Sequence, residues 1–127
     1  MCGLVGRFGE HHDVLDPSLL AHRGPDSEGS YHNNELKVTL SHCRLAIQDL
    51  SESGHQPMVS YSGRTVIVFN GEIYNHWDLR EAVNKNNLNQ AWRSSSDTES
   101  ILEYSEMFGL SSLLEKVHGM FAFALLD

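Results

Sequence analysis

The sequence predicts an α+β domain of stacked strand and helix layers. Strand-like segments fill the first half, and two helices with their own start signals follow before the chain returns to an apolar strand. That order suits segregated layers better than a repeating β-α-β unit. A third observation fixes the domain count. No repeat, low-complexity tract or Pro/Gly/Ser-rich linker breaks residues 1–127, a length that buries a real core.

Each element has a local reason. Residues 2–8 alternate enough for a strand, loosened by Gly3 and Gly6. Asp16-Pro17 reads as an N-cap followed by Pro at the first helical position, opening a short helix through Leu19 and Leu20. Residues 22–29 form a polar, glycine-flanked loop. Residues 36–40 alternate as a strand that continues through 41–47, and 48–57 is a loop. The β-branched run 64–69 is a buried strand ending at Asn70-Gly71.

The second half is helical until its end. A helix opens at residues 75–78 and reaches about Lys85, with Leu79, Ala82 and Val83 on one face. Ser96 and Glu99 make a capping box, starting a helix that turns Ile101, Leu102, Ser105 and Phe108 inward and stops at Gly109. Ser112 and Glu115 make a second capping box for a short helix. Residues 119–126 are a buried strand.

Composition narrows the function classes. With 17 acidic against 9 basic residues the net charge is −8, which argues against nonspecific nucleic-acid binding. Two cysteines make no disulfide framework, and the start lacks a basic region followed by an apolar one. The longest apolar stretch, 120–126, is too short to span a bilayer. A cytoplasmic, reducing location without membrane attachment is therefore expected. None of the eight histidines makes a His-x3-His or His-Glu-x-x-His pair, so no metal site is expected. Walker and dinucleotide fingerprints are absent from the sequence.

Cys2, directly behind Met1, carries the strongest chemical signal. Removing Met1 leaves a thiol and a free α-amine on one residue, a nucleophile with its own base. A thiol of pKa about 8.5 and an amine of about 7.7–8.0 can exchange a proton near neutral pH. The alternative is a small apolar residue beginning a strand. Acyl transfer also needs oxyanion donors, and Asn70-Gly71 offers a side-chain amide and a backbone N–H that a substrate can approach. The same dipeptide is also the strongest short hairpin signal. Arg44 is the residue type for bidentate carboxylate recognition, unless it is a surface position. Asp97, in a first helical turn, is equally explained by the helix dipole.

The motifs together resemble a known family. Met-Cys-Gly-Leu-Val-Gly, His-Arg-Gly-Pro-Asp-Ser-Glu-Gly, His-Cys-Arg-Leu-Ala-Ile, Phe-Asn-Gly-Glu-Ile-Tyr-Asn, Ser-Ser-Asp-Thr-Glu and Gly-Met-Phe-Ala-Phe-Ala-Leu-Leu-Asp stand in family order across the chain. The chain resembles the glutaminase domain of class II glutamine amidotransferases, which are N-terminal-nucleophile hydrolases. Within them it is similar to the glutamine-hydrolysing asparagine synthetase branch. The resemblance implies a four-layer αββα sandwich of two antiparallel sheets and L-glutamine as substrate, with no cofactor for the glutaminase step. It implies Cys2 as nucleophile, with its α-amine as base through water, and Asn70 and the Gly71 N–H as oxyanion donors. It also implies that Arg44 takes the substrate α-carboxylate, and that Asp97, helped by Glu72, takes its α-ammonium.

The chain departs from the family's pattern at several points. The domain is expected to lack the family's last strands and to carry no synthetase domain with an ATP-pyrophosphatase loop. The apolar strand 120–126 would then be closed by self-association or by a separate synthetase or acceptor subunit. The segment between Cys2 and His22 is shorter than the family's, which thins the layer over one sheet. Cys43 is unusual between His42 and Arg44. The alternative function is a truncated, non-catalytic relative that binds glutamine or a partner protein.

Overall fold

In the computed structural model, residues 2–9 and 16–127 are described; Met1, whose removal is expected from the sequence, and the His11-His12 pair lie outside them. The strands are β1 (Gly3–Phe8), β2 (Ser27–Asn33), β3 (Val38–Arg44), β4 (Met58–Val59), β5 (Val66–Ile73) and β6 (Gly119–Leu126). They form two three-stranded antiparallel sheets, ordered β1-β3-β2 and β4-β5-β6. The helices are α1 (His76–Asn86), α2 (Asp97–Phe108) and α3 (Leu110–Lys116).

Period-two alternation sorts the core into two layers. Val38 and Leu40 of β3 meet Val66 and Val68 of β5 between the sheets, with Leu4, Tyr31, Ala124 and Leu126 beside them. The opposite face of β5 sends Ile67, Phe69 and Ile73 against Leu79, Val83, Ile101, Leu102 and Leu113 of the helices. The outer face of the first sheet carries, among the described residues, only the 3₁₀ turn Pro17–Leu20, where the Cys43 thiol donates to the Pro17 carbonyl at 3.0 Å. The structure is thus an α+β sandwich of two antiparallel sheets, with its helix layer on the second sheet.

Several boundaries differ from the sequence reading, each for a tertiary reason. The loop expected over 22–29 gives way at Ser27 to β2, whose half-buried positions are Ser27, Gly29, Tyr31 and Asn33. Only Tyr31 among them is large and apolar, so hydrophobic periodicity is silent there. β5 does not end at Asn70-Gly71: Asn70 pairs with Ala122, Gly71 with Phe121 and Ile73 with Gly119. The hairpin alternative is therefore excluded by a partner strand distant in sequence. β3 is confined to Val38–Arg44 rather than running over 36–47.

Of the two expected capping boxes, one forms by half. Ser96 accepts from the Glu99 N–H as expected, but the Glu99 carboxylate reaches past it to the N–H groups of Arg93 and Ser94, at 2.9 and 2.8 Å. The second box does not form. Ser112 lies inside α3 with its hydroxyl against Tyr104 Oη at 3.2 Å, and the helix starts from Gly109, whose φ of +86° turns the chain out of α2.

One carboxylate ties the loops at the open end of the sandwich. Asp49 Oδ1 accepts from the Ser51 hydroxyl at 2.6 Å and its N–H at 2.8 Å, while Oδ2 accepts from the Ser95 N–H at 2.8 Å. The Ser51 hydroxyl, with the Ser95 and Ser51 N–H groups, lowers its pKa from 3.8 to about 2 against partial desolvation. A depressed carboxylate contributes stability above its unfolded pKa and loses it as pH falls through the folded one. Asp49→Asn should therefore be less stable than the wild type at neutral pH. The gap should narrow as pH drops from about 4 to about 2, read from denaturation midpoints. Leu40, fully buried between the sheets, should cost about 2–5 kcal/mol on substitution by Ala, lowering the urea midpoint without changing the slope.

Candidate active site

Three core stripes run out at the same end of the sandwich, and each ends in a chemically capable side chain. On β3 the stripe Val38, Leu40, His42 continues to Arg44; on β5, Val66 and Val68 continue to Asn70. On β1, Leu4 stands opposite His42 and Gly3 opposite Cys43, which brings Cys2 alongside Arg44. The Leu45 N–H donates to Cys2 Sγ at 3.3 Å, and Arg23 Nε donates to the Cys2 carbonyl at 3.0 Å. The sulfur and the backbone that carries it are thus both held. Both cysteines are free thiols.

The facing wall is the open edge of β5. β4 pairs only with Val66 and Ile67, so the N–H groups beyond them on that edge need other partners. The Phe69 N–H donates to Gln56 Oε1 at 2.6 Å, and the Ile73 N–H to Asp97 Oδ2 at 2.9 Å. The alternation of an antiparallel ladder turns the Gly71 N–H, midway between them, to the same edge. Here the absence of a side chain is dictated by β6, because a Cβ on Gly71 would run into the Met120 carbonyl and Phe121.

The charged groups are built in. Arg44 is buried, not a surface residue: its Nη1 donates to the Ser51 carbonyl at 2.9 Å, its Nη2 to the Asp49 carbonyl, and it packs over Gly54. Asp97 is also buried, and desolvation raises its pKa against the N–H groups of Ile73 and Thr98, with Glu72 adding to the rise. Glu72 is exposed at the rim.

All these residues line one cavity of about 240 Å³: Cys2, Arg44, Asn70, Gly71, Glu72 and Asp97 are brought together. A space of that size suits a small molecule of amino-acid dimensions. Its walls offer a guanidinium, three carboxylates, a thiol, side-chain amides and a backbone edge, the groups needed to hold a zwitterion and attack an acyl carbon. The sequence reading missed Asp49, Gln56, Ser96 and Thr98, which also line it. Asp49 and Gln56 lie in an irregular loop with no periodic signal, so only packing places them. Among the described residues no cluster of His, Cys, Asp and Glu could hold a metal ion, and no helix is long and apolar enough to cross a membrane.

The glutamine amidotransferase domain family matches residues 1–127. The asparagine synthetase (glutamine-hydrolyzing) of Triphysaria versicolor is 38% identical over 135 residues, covering 100% of this chain and 22% of its own length. Asparagine synthetase (glutamine-hydrolyzing) 1 of Arabidopsis thaliana gives the same figures, 38% over 135 residues with 100% and 22% covered. That of Bacillus subtilis (strain 168) is 37% identical over 134 residues, covering 97% of this chain and 20% of its own. The chain thus spans about a fifth of the length of these curated relatives. A thiol, an Asn-Gly edge, a buried Arg and a buried Asp on one cavity, with a match from end to end, place the chain in the glutamine amidotransferase domain family, a family of enzymes.

Proposed function

We propose that this chain hydrolyses the side-chain amide of L-glutamine at Cys2, giving glutamate and ammonia for amido transfer. The observation that supports this most is the cavity itself, which gathers Cys2 from the first sheet and Asn70-Gly71 from the second around an Arg44–Asp97 pair of fixed charges. Arg44 takes the substrate α-carboxylate, and Asp97 with Glu72 takes the α-ammonium. The side-chain amide is then presented to the sulfur.

With Met1 removed, the Cys2 α-amine accepts the thiol proton through water while Sγ bonds to the amide carbon. The carbonyl π electrons move to oxygen, and that oxyanion is held by the Asn70 amide and the Gly71 N–H. Collapse breaks the C–N bond, the α-ammonium returns its proton to the leaving nitrogen, and ammonia departs from a thioester. Water attacks the thioester through a second oxyanion, the C–S bond breaks, and glutamate leaves with the thiol restored. The relatives are named for asparagine synthesis, and on that likeness the ammonia serves an asparagine-forming reaction. A synthetase or acceptor partner would receive it.

Protein shown by intact mass to begin at Cys2 should release glutamate from glutamine. Cys2→Ala should abolish release, and Asn70→Ala should lower the rate about 10²–10³-fold. Absence of both glutamate release and acylation by a glutamine-like electrophile would sink this reading and leave a non-catalytic glutamine-binding or protein-interaction domain. Arg44→Lys, which loses the planar fork, should raise KM more than it lowers kcat.

A further inference from the structure

Phe69 immediately precedes Asn70, and both of its peptide groups are taken by side chains. Its N–H donates to Gln56 Oε1 at 2.6 Å, and its carbonyl accepts from His42 Nε2 at 3.0 Å. We propose that His42 and Gln56 are positioning residues that clamp Phe69 at its carbonyl and its N–H and so set Asn70 and the Gly71 N–H against the Cys2 thiol. This rests on the reading of Asn70 and Gly71 as oxyanion donors.

The ring's protonation follows from its partner. A carbonyl only accepts, so the proton sits on Nε2 and Nδ1 bears a lone pair. Among the described residues, His42 Nδ1 is buried without a hydrogen-bond partner. Burial pushes the imidazole pKa down to about 4, so the ring is neutral at ordinary pH. Such a ring is a poor filler for an apolar layer beside Leu40 and Val68, where leucine would leave no nitrogen unmatched. What leucine lacks is the N–H for Phe69. His42 also joins the two sheets: it stands opposite Leu4, next but one to Cys2, and two residues before Arg44.

Gln56 completes the clamp. Its oxygen faces the Phe69 N–H, so its Nε2 is free to donate to Thr98 Oγ1 at 3.3 Å, beside Asp97 at the start of α2. One amide therefore ties the edge that bears Gly71 to the helix that bears Asp97. Both side chains are buried.

Three variants of this chain, beginning at Cys2, test the clamp. His42→Leu removes the donor at similar volume, His42→Gln returns an amide N–H near the Nε2 position, and Gln56→Met removes the acceptor. Three readouts apply: kcat and KM for glutamine hydrolysis, alkylation of Cys2 by iodoacetamide (a displacement that develops no oxyanion), and amide exchange at Asn70 and Gly71 by NMR. His42→Leu should lower kcat about tenfold or more with KM nearly unchanged. Gln56→Met, which also releases Thr98 beside Asp97, should lower kcat as much and raise KM less than it lowers kcat. Alkylation should be unaffected, exchange at Asn70 and Gly71 faster, and His42→Gln should recover kcat. Should His42→Leu fail to fold, Gln56→Met and His42→Gln still decide the matter. Unchanged kcat and exchange, or a parallel loss of kcat, substrate binding and alkylation, would overturn the proposal. If the wild type hydrolyses no glutamine, the functional reading alone fails. The exchange measurement then still judges the clamp, and unchanged exchange refutes it.

Discussion

The open edge of β5 is the constraint on which the site depends. β4 runs for two residues and then leaves that edge, and every buried N–H beyond it must find an acceptor. Gln56 satisfies Phe69 and Asp97 satisfies Ile73. Between them the ladder's alternation aims Gly71 at the cavity. An edge that would otherwise invite pairing with another chain is thereby converted into one N–H turned to the cavity and two that are tied down. β6 secures the other side of the strand along its whole length, with Asn70 opposite Ala122 and Gly71 opposite Phe121.

The buried charges are tolerable because backbone groups and stacked rings surround them. Arg44 is taken up by the carbonyls of Ser51 and Asp49. Arg80, equally buried, stacks 4.1 Å from the Trp92 ring and donates to the carbonyls of Ser94 and Ser96 at 2.8 and 3.0 Å. Glu99 accepts the N–H groups of Arg93 and Ser94 from the other side. Residues 93–96 are thus gripped by a cation at their carbonyls and an anion at their N–H groups, and the chain that emerges is the first turn of α2 with Asp97 in place. A buried ion pair is weak evidence for stability. Here its consequence is the fixed entry of a helix whose first residue faces the cavity.

Much of the fold was legible because its signals were local. β1, β6, α1 and α2 declared themselves through alternation, helical periodicity and the Ser96 cap. β2 did not, because an edge strand of Ser, Glu, Gly and His carries no apolar stripe. The extension of β5 through Asn70-Gly71 was hidden by a dipeptide whose local preference is a turn, overruled by pairing with β6. Ser112 illustrates the same override in a helix: its hydroxyl found Tyr104 before it could cap anything.

By itself the sequence determined the residue types of the chemistry. A thiol behind Met1, an Asn-Gly step, Arg44, Glu72 and Asp97 could be named from motif order, because reactive side chains are few and their neighbours distinctive. What only the tertiary structure decided is how those groups face one another. Cys2 and Arg44 lie on one sheet and Asn70 on the other, so their meeting depends on how the sheets stack, and no spacing along a chain encodes that. The roles of Asp49, Gln56 and His42, which rest on tertiary contacts, could not be read from the sequence for the same reason. Each hydrogen-bonds a backbone group far along the chain, and the identity of a residue tells that it can donate or accept but not which peptide it will meet.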